Sequence, residues 1–120
     1  MWLTRLVWPI VSRKLAHWAF SYMSFAIPVE RLRQTKSLIA FHHPRPGYPI
    51  HILLVPTRNL RHLLDLSPAD TDFMADLFQT VASLVQEFQL EQRGYRLIVN
   101  GGPYQEIPHL HFHLISEQGG

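Results

Sequence analysis

Short apolar runs, most of them bounded by proline or glycine, recur at four places along the chain. They lie at residues 37–41, 50–55, 95–100 and 109–115. Runs of this length that are rich in branched and aromatic side chains are typical of β-strands. The run at 50–55 is apolar at every position except His51, which predicts a strand buried on both faces.

A helical period replaces the strand pattern between the second and third runs. Apolar residues recur there every three or four positions and predict a continuous buried stripe: Phe73, Leu77, Val81, Leu84 and Phe88. Ser67 suits an N-cap, Pro68 suits the first turn, and Gly94 suits the end of a helix. The sequence therefore predicts a long helix over 67–90, preceded by a short helix or turn at 60–64.

The order of these elements is strand, strand, long helix, strand, strand, which is typical of an α+β domain with an antiparallel sheet. The 120 residues are enough for one core, although a partner subunit would add buried surface. We therefore expect one domain over 28–120 and an N-terminal extension at 1–27.

The N-terminal extension combines tryptophans with basic residues. Its apolar run is interrupted by charges before it reaches the length that crosses a bilayer, and it lacks the pattern of a signal peptide. We expect an amphipathic helix there. Three placements remain open: packing on the domain, which we favour, binding to an anionic membrane surface, or disorder.

Composition narrows the class of protein further. Cysteine is absent, which excludes disulfides and thiolate metal sites and is compatible with a cytoplasmic location. Seven lysines and arginines stand against Glu30 alone in residues 1–45. Such a charge suits either attraction to anionic surfaces or a solvated face. No zinc finger or long basic stripe is present, so no nucleic-acid partner is expected.

Three histidines alternate with apolar residues in the last predicted strand. His109, His111 and His113 would share one face, because successive side chains of a strand point to opposite faces. The outer two would lie roughly 13 Å apart, too far for one small ion to touch all three. Two of them with His51 could still form a metal site, and a single buried histidine is often only a core residue. Three on one face favour a polar partner, and an anion fits best.

Further segments accompany these histidines in order, at residues 38–42, 49–56, 94–100 and at Gln105. With them, the chain resembles the histidine-triad superfamily of nucleotide-binding hydrolases and transferases over about residues 28–115. It is most similar to the branch of small nucleoside phosphoramidate hydrolases. The resemblance implies a five-stranded antiparallel sheet with one long and one short helix. It also implies a homodimer formed through 67–90 and 95–100, and neither a cofactor nor a metal.

The resemblance also assigns roles to four histidines. His111 matches the nucleophile that attacks the α-phosphorus of a nucleotide conjugate and forms a nucleotidyl-imidazole, which water then cleaves. His109 matches the residue that orients this nucleophile. His113 matches the residue that contacts the phosphate, and His51 matches a fourth histidine that supports the triad.

The expected substrate pocket follows from the same resemblance. Asn100 and Gln105 match residues that position the phosphate and the leaving group, and Phe41 and His42 stand where the family packs the nucleobase and ribose. Two further pocket positions depart from the family pattern. They are His43, in place of an aspartate that grips the ribose hydroxyls, and Glu106, in place of a serine or threonine. We therefore expect the specificity for the nucleoside and for the leaving group to differ from that of the family.

Two other classes of function remain open at this point. One is a binding or interaction module that keeps the fold and binds a nucleotide without catalysis. The other is the metal-dependent site considered above.

Overall fold

One antiparallel sheet of five strands forms the centre of the described part of the chain. The structure is a computed structural model that describes residues 30–118, so the expected N-terminal helix at 1–27 lies outside the described residues. The strands follow the order β1-β2-β3-β5-β4 in the sheet: β1 (Arg33–Gln34), β2 (Leu38–His42), β3 (Ile50–Pro56), β4 (Arg96–Val99) and β5 (Phe112–Ser116). All neighbouring strands are antiparallel. The predicted α+β class and five-stranded sheet are confirmed.

The predicted long helix is present but is interrupted once. Helix α1 spans Thr71–Glu87 and helix α2 spans Leu90–Arg93. Between them Gln89 takes the left-handed conformation with φ of 55°, which breaks the helical path. The expectation of one continuous helix over 67–90 was therefore wrong at its C-terminal end. None of the described helices is long and apolar enough to cross a membrane.

The start of the helical region agrees with the sequence. The side chain of Ser67 accepts a hydrogen bond from the backbone N–H of Ala69, and the carboxylate of Asp70 accepts one from the backbone N–H of Ser67. This reciprocal cap closes a 3₁₀ turn at Pro68–Asp70 that leads into α1. The short helix expected at 60–64 is a single 3₁₀ turn at Leu63–Asp65.

The sheet buries apolar side chains on both faces. One face packs against α1 and carries the larger core cluster, to which Ile52, Leu54, Phe112 and Leu114 contribute from the two central strands. The opposite face carries a smaller cluster of Ile39, Phe41, Leu53 and Val55. Residues of β2 and β3 alternate between the two clusters, as the pleat of a strand requires. This confirms that the run at 50–55 is buried on both faces.

The last strand begins later than the histidine pattern predicts. Strand β5 starts at Phe112, so only His113 of the three histidines lies within it. The preceding segment leaves the ladder because the backbone N–H of Leu110 bonds to the carbonyl of Leu60, at 2.8 Å. The three histidines therefore do not form one straight row on a strand.

Gly94, which follows α2, provides a test of the fold. Its φ of 88° is a conformation that side-chain-bearing residues rarely adopt, although an added Cβ would meet no atom within 4 Å. Gly94→Ala should therefore lower the free energy of unfolding by about 1–3 kcal/mol through backbone strain alone. Urea denaturation followed by circular dichroism measures this.

Gly101 is the matched control for this substitution. An added Cβ there also meets nothing within 4 Å, but its φ is −135°, an extended conformation open to alanine. Gly101→Ala should leave the stability nearly unchanged. Equal losses in the two variants would contradict the assignment of strain to Gly94.

Candidate active site

Four histidine rings come together on the sheet face opposite α1. The ring centroids of His51 and His113 are 5.1 Å apart, and those of His111 and His113 are 5.0 Å apart. His43, directly after β2, lies 4.4 Å from His51 and 6.2 Å from His113. The pairing of β3 with β5 places Leu53 opposite His113, so that His51, two residues earlier on β3, shares the face of His113. We call these four rings the histidine cluster.

A chain of hydrogen bonds assigns the proton positions of two of these rings. The backbone N–H of Gly47 donates to Nδ1 of His51, at 2.9 Å. Nδ1 therefore carries a lone pair, and the hydrogen of the neutral ring is on Nε2. Nε2 of His51 lies 2.9 Å from Nδ1 of His113 and donates to it. The remaining hydrogen of His113 is consequently on its Nε2.

The Nε2–H of His113 is a buried donor that lacks a hydrogen-bond partner within residues 30–118. Leaving such a group unpaired costs about 1–3 kcal/mol, so buried donors in folded proteins nearly always have a partner. A donor in this position suits a ligand that brings its own acceptor, such as a phosphoryl oxygen.

The proton position of His111 is assigned by a backbone carbonyl. Its Nδ1 lies 2.7 Å from the carbonyl oxygen of His109, which can only accept, so Nδ1 carries the hydrogen. The lone pair of the neutral ring is then on Nε2. His111 thus offers a lone pair, and the adjacent His113 offers an N–H donor.

Burial keeps the histidine cluster neutral near pH 7. It lowers the pKa of His51 and His111, and it lowers the pKa of His113 to about 3, where the neighbouring rings of His111, His51 and His43 add to the effect. The pKa of His43 is lowered to about 4, chiefly by burial. Two influences oppose burial at His111: the hydrogen bond to His109 and the negative charge of Glu106.

His109 supports the histidine cluster through its backbone carbonyl, which accepts the hydrogen bond from His111. Its side chain is buried, and its Nε2 lies 3.3 Å from the carbonyl oxygen of Pro56, at the end of β3. Burial lowers the pKa of His109, so the neutral ring donates from Nε2. This anchor holds the backbone carbonyl that contacts His111.

The structure separates the two residues expected to pack a nucleoside. Phe41 is buried on the sheet face of the histidine cluster. His42, the next residue of β2, points to the opposite face, where its exposed ring lies 6.0 Å from that of Phe88. The expected contact of the His42 side chain with a nucleoside is not supported by this position, because consecutive strand residues face opposite ways.

The connection from β4 to β5 holds the other expected pocket residues. The side-chain amide nitrogen of Gln105 donates to the carbonyls of Arg61, at 2.7 Å, and Ile107, at 3.0 Å. Both of its hydrogens are thus used, and only the amide oxygen is left to meet a ligand. Asn100 is half-buried just after β4, and Glu106 is exposed.

Gly47 and Tyr48 are parts of the site that the residue pattern did not reveal. Gly47 acts through its backbone N–H, which no side-chain pattern records. The ring of Tyr48 lies edge-on to His51, with centroids 5.4 Å apart. The only signal in the sequence was the proline-rich turn around them, which indicates a rigid backbone. Within residues 30–118, no three potential ligand side chains converge on a position for a metal ion.

Known proteins are similar to this chain in sequence over most of its length. The model of the HIT domain family matches residues 24–120. An uncharacterized HIT-like protein of Buchnera aphidicola is 34% identical over 92 residues, which are 75% of this chain and 82% of that protein. One of Rickettsia prowazekii is 35% identical over 93 residues, which are 75% of this chain and 78% of that protein.

Solved structures of proteins from the same family superpose on this chain. A HIT family hydrolase from Legionella pneumophila superposes with a TM-score of 0.75 at 28% identity, covering 82% of this chain and 90% of its own. A histidine triad protein from Clostridium difficile gives 0.73 at 27% identity, covering 82% and 88%. The resemblance inferred from the histidine pattern is thereby confirmed, and the chain belongs to the HIT domain family.

Proposed function

We propose that this protein hydrolyses the bond between the α-phosphorus of a nucleotide and its leaving group, as in a nucleoside phosphoramidate, through a covalent intermediate on His111. The observation that carries the proposal is the assigned proton pattern. Nε2 of His111 holds a lone pair beside the Nε2–H donor of His113. A nucleophile and an oxyanion donor in adjacent positions are the two groups that phosphoryl transfer requires.

In the first step, Nε2 of His111 attacks the phosphorus and forms an N–P bond. The bond from phosphorus to the leaving amine breaks, and the amine leaves with that electron pair and takes a proton from solvent. The His111 ring becomes cationic, and its Nδ1–H stays bonded to the carbonyl of His109. The N–H of His113 donates to a phosphoryl oxygen, where charge develops.

In the second step, water attacks the phosphorus and the N–P bond breaks. His111 recovers its lone pair, the water loses a proton to solvent, and the nucleoside monophosphate is released. The cationic ring of the intermediate is stabilised by the negative charge of Glu106, which favours the protonated state of His111. The reaction therefore uses two rings whose proton positions are already fixed, His111 by the carbonyl of His109 and His113 by the side chain of His51.

An amine leaving group fits the connection that precedes the triad. The amide oxygen of Gln105 and the carboxylate of Glu106 are acceptors, and the donors of Gln105 are engaged elsewhere. A departing amine presents N–H donors, whereas a departing phosphate presents negative charge that Glu106 would repel. These acceptors support phosphoramidates over dinucleoside polyphosphates.

Related proteins support the class of reaction. The Legionella pneumophila structure, at 28% identity, is described as a HIT family hydrolase. A histidine triad nucleotide-binding protein from Candida albicans superposes with a TM-score of 0.69 at 24% identity, which supports the shared fold alone.

We also propose that the protein acts as a homodimer through α1 and β4. Strand β4 is at the end of the strand order and pairs with β5 on one side, and no strand of residues 30–118 pairs with its other edge. On α1, Phe78 is 62% exposed and offers an apolar side chain that a partner could bury. A second copy would cover both features.

Replacing the proposed nucleophile tests the mechanism. His111→Ala should lower kcat/KM for adenosine 5′-phosphoramidate at least about a thousandfold, because the covalent route is lost. Release of the monophosphate, followed by chromatography, measures this, and acid-quenched mass spectrometry should detect a nucleotidyl adduct on the wild-type protein. His62→Ala, at an exposed position in the connection between β3 and α1, is the control.

Two results would contradict the proposal in different ways. If His111→Ala keeps more than a few per cent of the wild-type rate, covalent catalysis at this residue is wrong. If the wild-type protein binds adenosine monophosphate but turns over none of the phosphoramidates tested, the protein is a binding module.

The pH profile tests the influence of Glu106. The reaction needs neutral His111, whose pKa burial lowers below the ordinary value of 6.5, so the acid limb of kcat/KM should lie below pH 6.5. The charge of Glu106 opposes that shift, and Glu106→Gln should therefore move the acid limb to still lower pH. Glu91→Gln, on α2, should leave the limb in place. A limb that moves upward in Glu106→Gln would overturn this assignment.

Sedimentation velocity tests the proposed dimer. Wild-type protein should sediment as a dimer, and Phe78→Glu should sediment as a monomer because a charge would be buried in the contact. Leu64→Glu is the control, since Leu64 is 88% exposed and lies outside α1 and β4. If Phe78→Glu remains dimeric, α1 is not part of the contact.

A further inference from the structure

The side of the site from which the amine leaves is also the side from which water must attack. In a phosphoryl transfer the attacking and leaving groups are roughly in line with the phosphorus. In the proposed intermediate Nε2 of His111 is bonded to the phosphorus, so the water that displaces it approaches from the opposite side. That position is the one that the amine has vacated, beside Gln105 and Glu106.

The attacking water must lose a proton, and the lone pairs of the histidine cluster are already engaged. Nδ1 of His51 and Nδ1 of His43 each accept a backbone N–H, at 2.9 Å, and Nδ1 of His113 accepts the N–H of His51. These rings are neutral, so each has one lone pair and carries its hydrogen on Nε2. The lone pair of His111 forms the bond to phosphorus. None of the four rings is therefore placed to receive the proton.

The connection from β4 to β5 presents two acceptors to this water. Both amide hydrogens of Gln105 are used, by the carbonyls of Arg61 at 2.7 Å and Ile107 at 3.0 Å, which leaves its amide oxygen. The side chain of Glu106 is exposed, and its negative charge acts on His111. A water molecule can donate one hydrogen to each of these groups and turn a lone pair toward the phosphorus. Of the two acceptors, only the carboxylate is basic enough to take the proton.

We propose that Glu106 is the general base of the second step and removes a proton from the water that hydrolyses the nucleotidyl-His111 intermediate. The inference rests on the proposed function and adds a catalytic residue to it. A bond forms between the water oxygen and phosphorus, while the bond from phosphorus to Nε2 breaks and returns its electron pair to the ring. The proton passes to the carboxylate of Glu106 and from there to solvent, which reaches this exposed side chain.

This role can be distinguished from stabilisation of the cationic ring by the charge of Glu106. A charge that only stabilises the intermediate prolongs its lifetime, so removing that charge would leave hydrolysis as fast as before or faster. Removing a general base slows hydrolysis, typically by about 10²–10⁴-fold. The two roles therefore predict opposite changes in the lifetime of the intermediate.

Glu106→Gln separates the two roles because glutamine keeps an oxygen acceptor but cannot take a proton. Wild type and variant are mixed with adenosine 5′-phosphoramidate at a pH above both acid limbs, quenched rapidly in denaturant and analysed by mass spectrometry. In Glu106→Gln the nucleotidyl adduct should accumulate on most of the protein, with its hydrolysis slowed about a hundredfold or more and kcat lowered with it. The value of kcat/KM should stay within about fivefold of wild type, because it reports the first step, in which the amine leaves.

Further variants provide the matched controls. Glu106→Asp keeps a carboxylate and should retain at least about a tenth of the wild-type rate of adduct hydrolysis. Glu106→Ala leaves room for a small carboxylate, so sodium formate should speed the hydrolysis of its adduct, whereas sodium chloride at the same ionic strength should not. Glu91→Gln makes the same change on α2 and should behave as wild type.

The outcomes separate this inference from the proposed function. The inference alone is overturned if wild type turns over through the adduct but Glu106→Gln hydrolyses it less than about tenfold more slowly, or faster. It is also overturned if Glu106→Gln lowers kcat and kcat/KM equally, or if formate and chloride act alike on Glu106→Ala. A wild-type protein that shows neither adduct nor turnover overturns both proposals.

Discussion

The hydrogen bond between His51 and His113 determines how these two rings of the histidine cluster are protonated. A neutral imidazole has one donor and one acceptor, and in a buried cluster each must meet a partner of the opposite kind. The N–H of Gly47 fixes one end of the relay, and the carbonyl of His109 fixes His111 independently. What remains is a lone pair on His111 and a donor on His113. The backbone has thus assigned these roles before any ligand arrives.

This relay depends in turn on the register of the two central strands. Pairing of Leu53 with His113 brings His51 to the diagonal position on the same face. A slip of one residue would move His51 to the α1 face and remove the hydrogen-bond partner of His113. The register is strongly specified because Ile52 and Leu54 on one face, and Leu53 and Val55 on the other, must all be buried. Burial of the core residues therefore also fixes the relative positions of His51 and His113.

Much of this arrangement could be predicted from the sequence, because it depends on side chains with a regular period. The apolar stripe of the long helix and the apolar strand 50–55 predicted the core, and the alternating histidines predicted the site. The sequence pattern did not predict the features that depend on backbone conformation or on backbone hydrogen bonds. Gln89 is an ordinary helix former by composition, yet its left-handed conformation ends α1. The late start of β5 depends on a backbone bond from Leu110 to Leu60, two residues 50 positions apart in sequence.

The same distinction explains where the structure places His42 and Gln105. Adjacent histidines at 42 and 43 look equivalent in sequence, but the pleat sends one to Phe88 and turns the other toward the cluster. Gln105 was expected to position the phosphate and the leaving group, and because its amide hydrogens bond to Arg61 and Ile107, it can do so only through its amide oxygen. His113 thus leaves a donor for a ligand, and Gln105 and Glu106, in the connection before the triad, leave acceptors.

Because hydrogen-bond donors and acceptors lie in different parts of the site, a ligand with both kinds of group should bind in one orientation. The phosphoryl oxygens, which only accept, belong against the N–H of His113, and a group that donates belongs against Gln105 and Glu106. A phosphoramidate satisfies both ends, since its phosphoryl oxygens accept and its amine donates. Reversing the orientation would place the amine against another donor and the phosphoryl oxygens against the carboxylate of Glu106, leaving polar groups unmatched on both sides. The division of donors and acceptors therefore favours one orientation of the proposed phosphoramidate substrate, with its phosphorus toward the lone pair of His111.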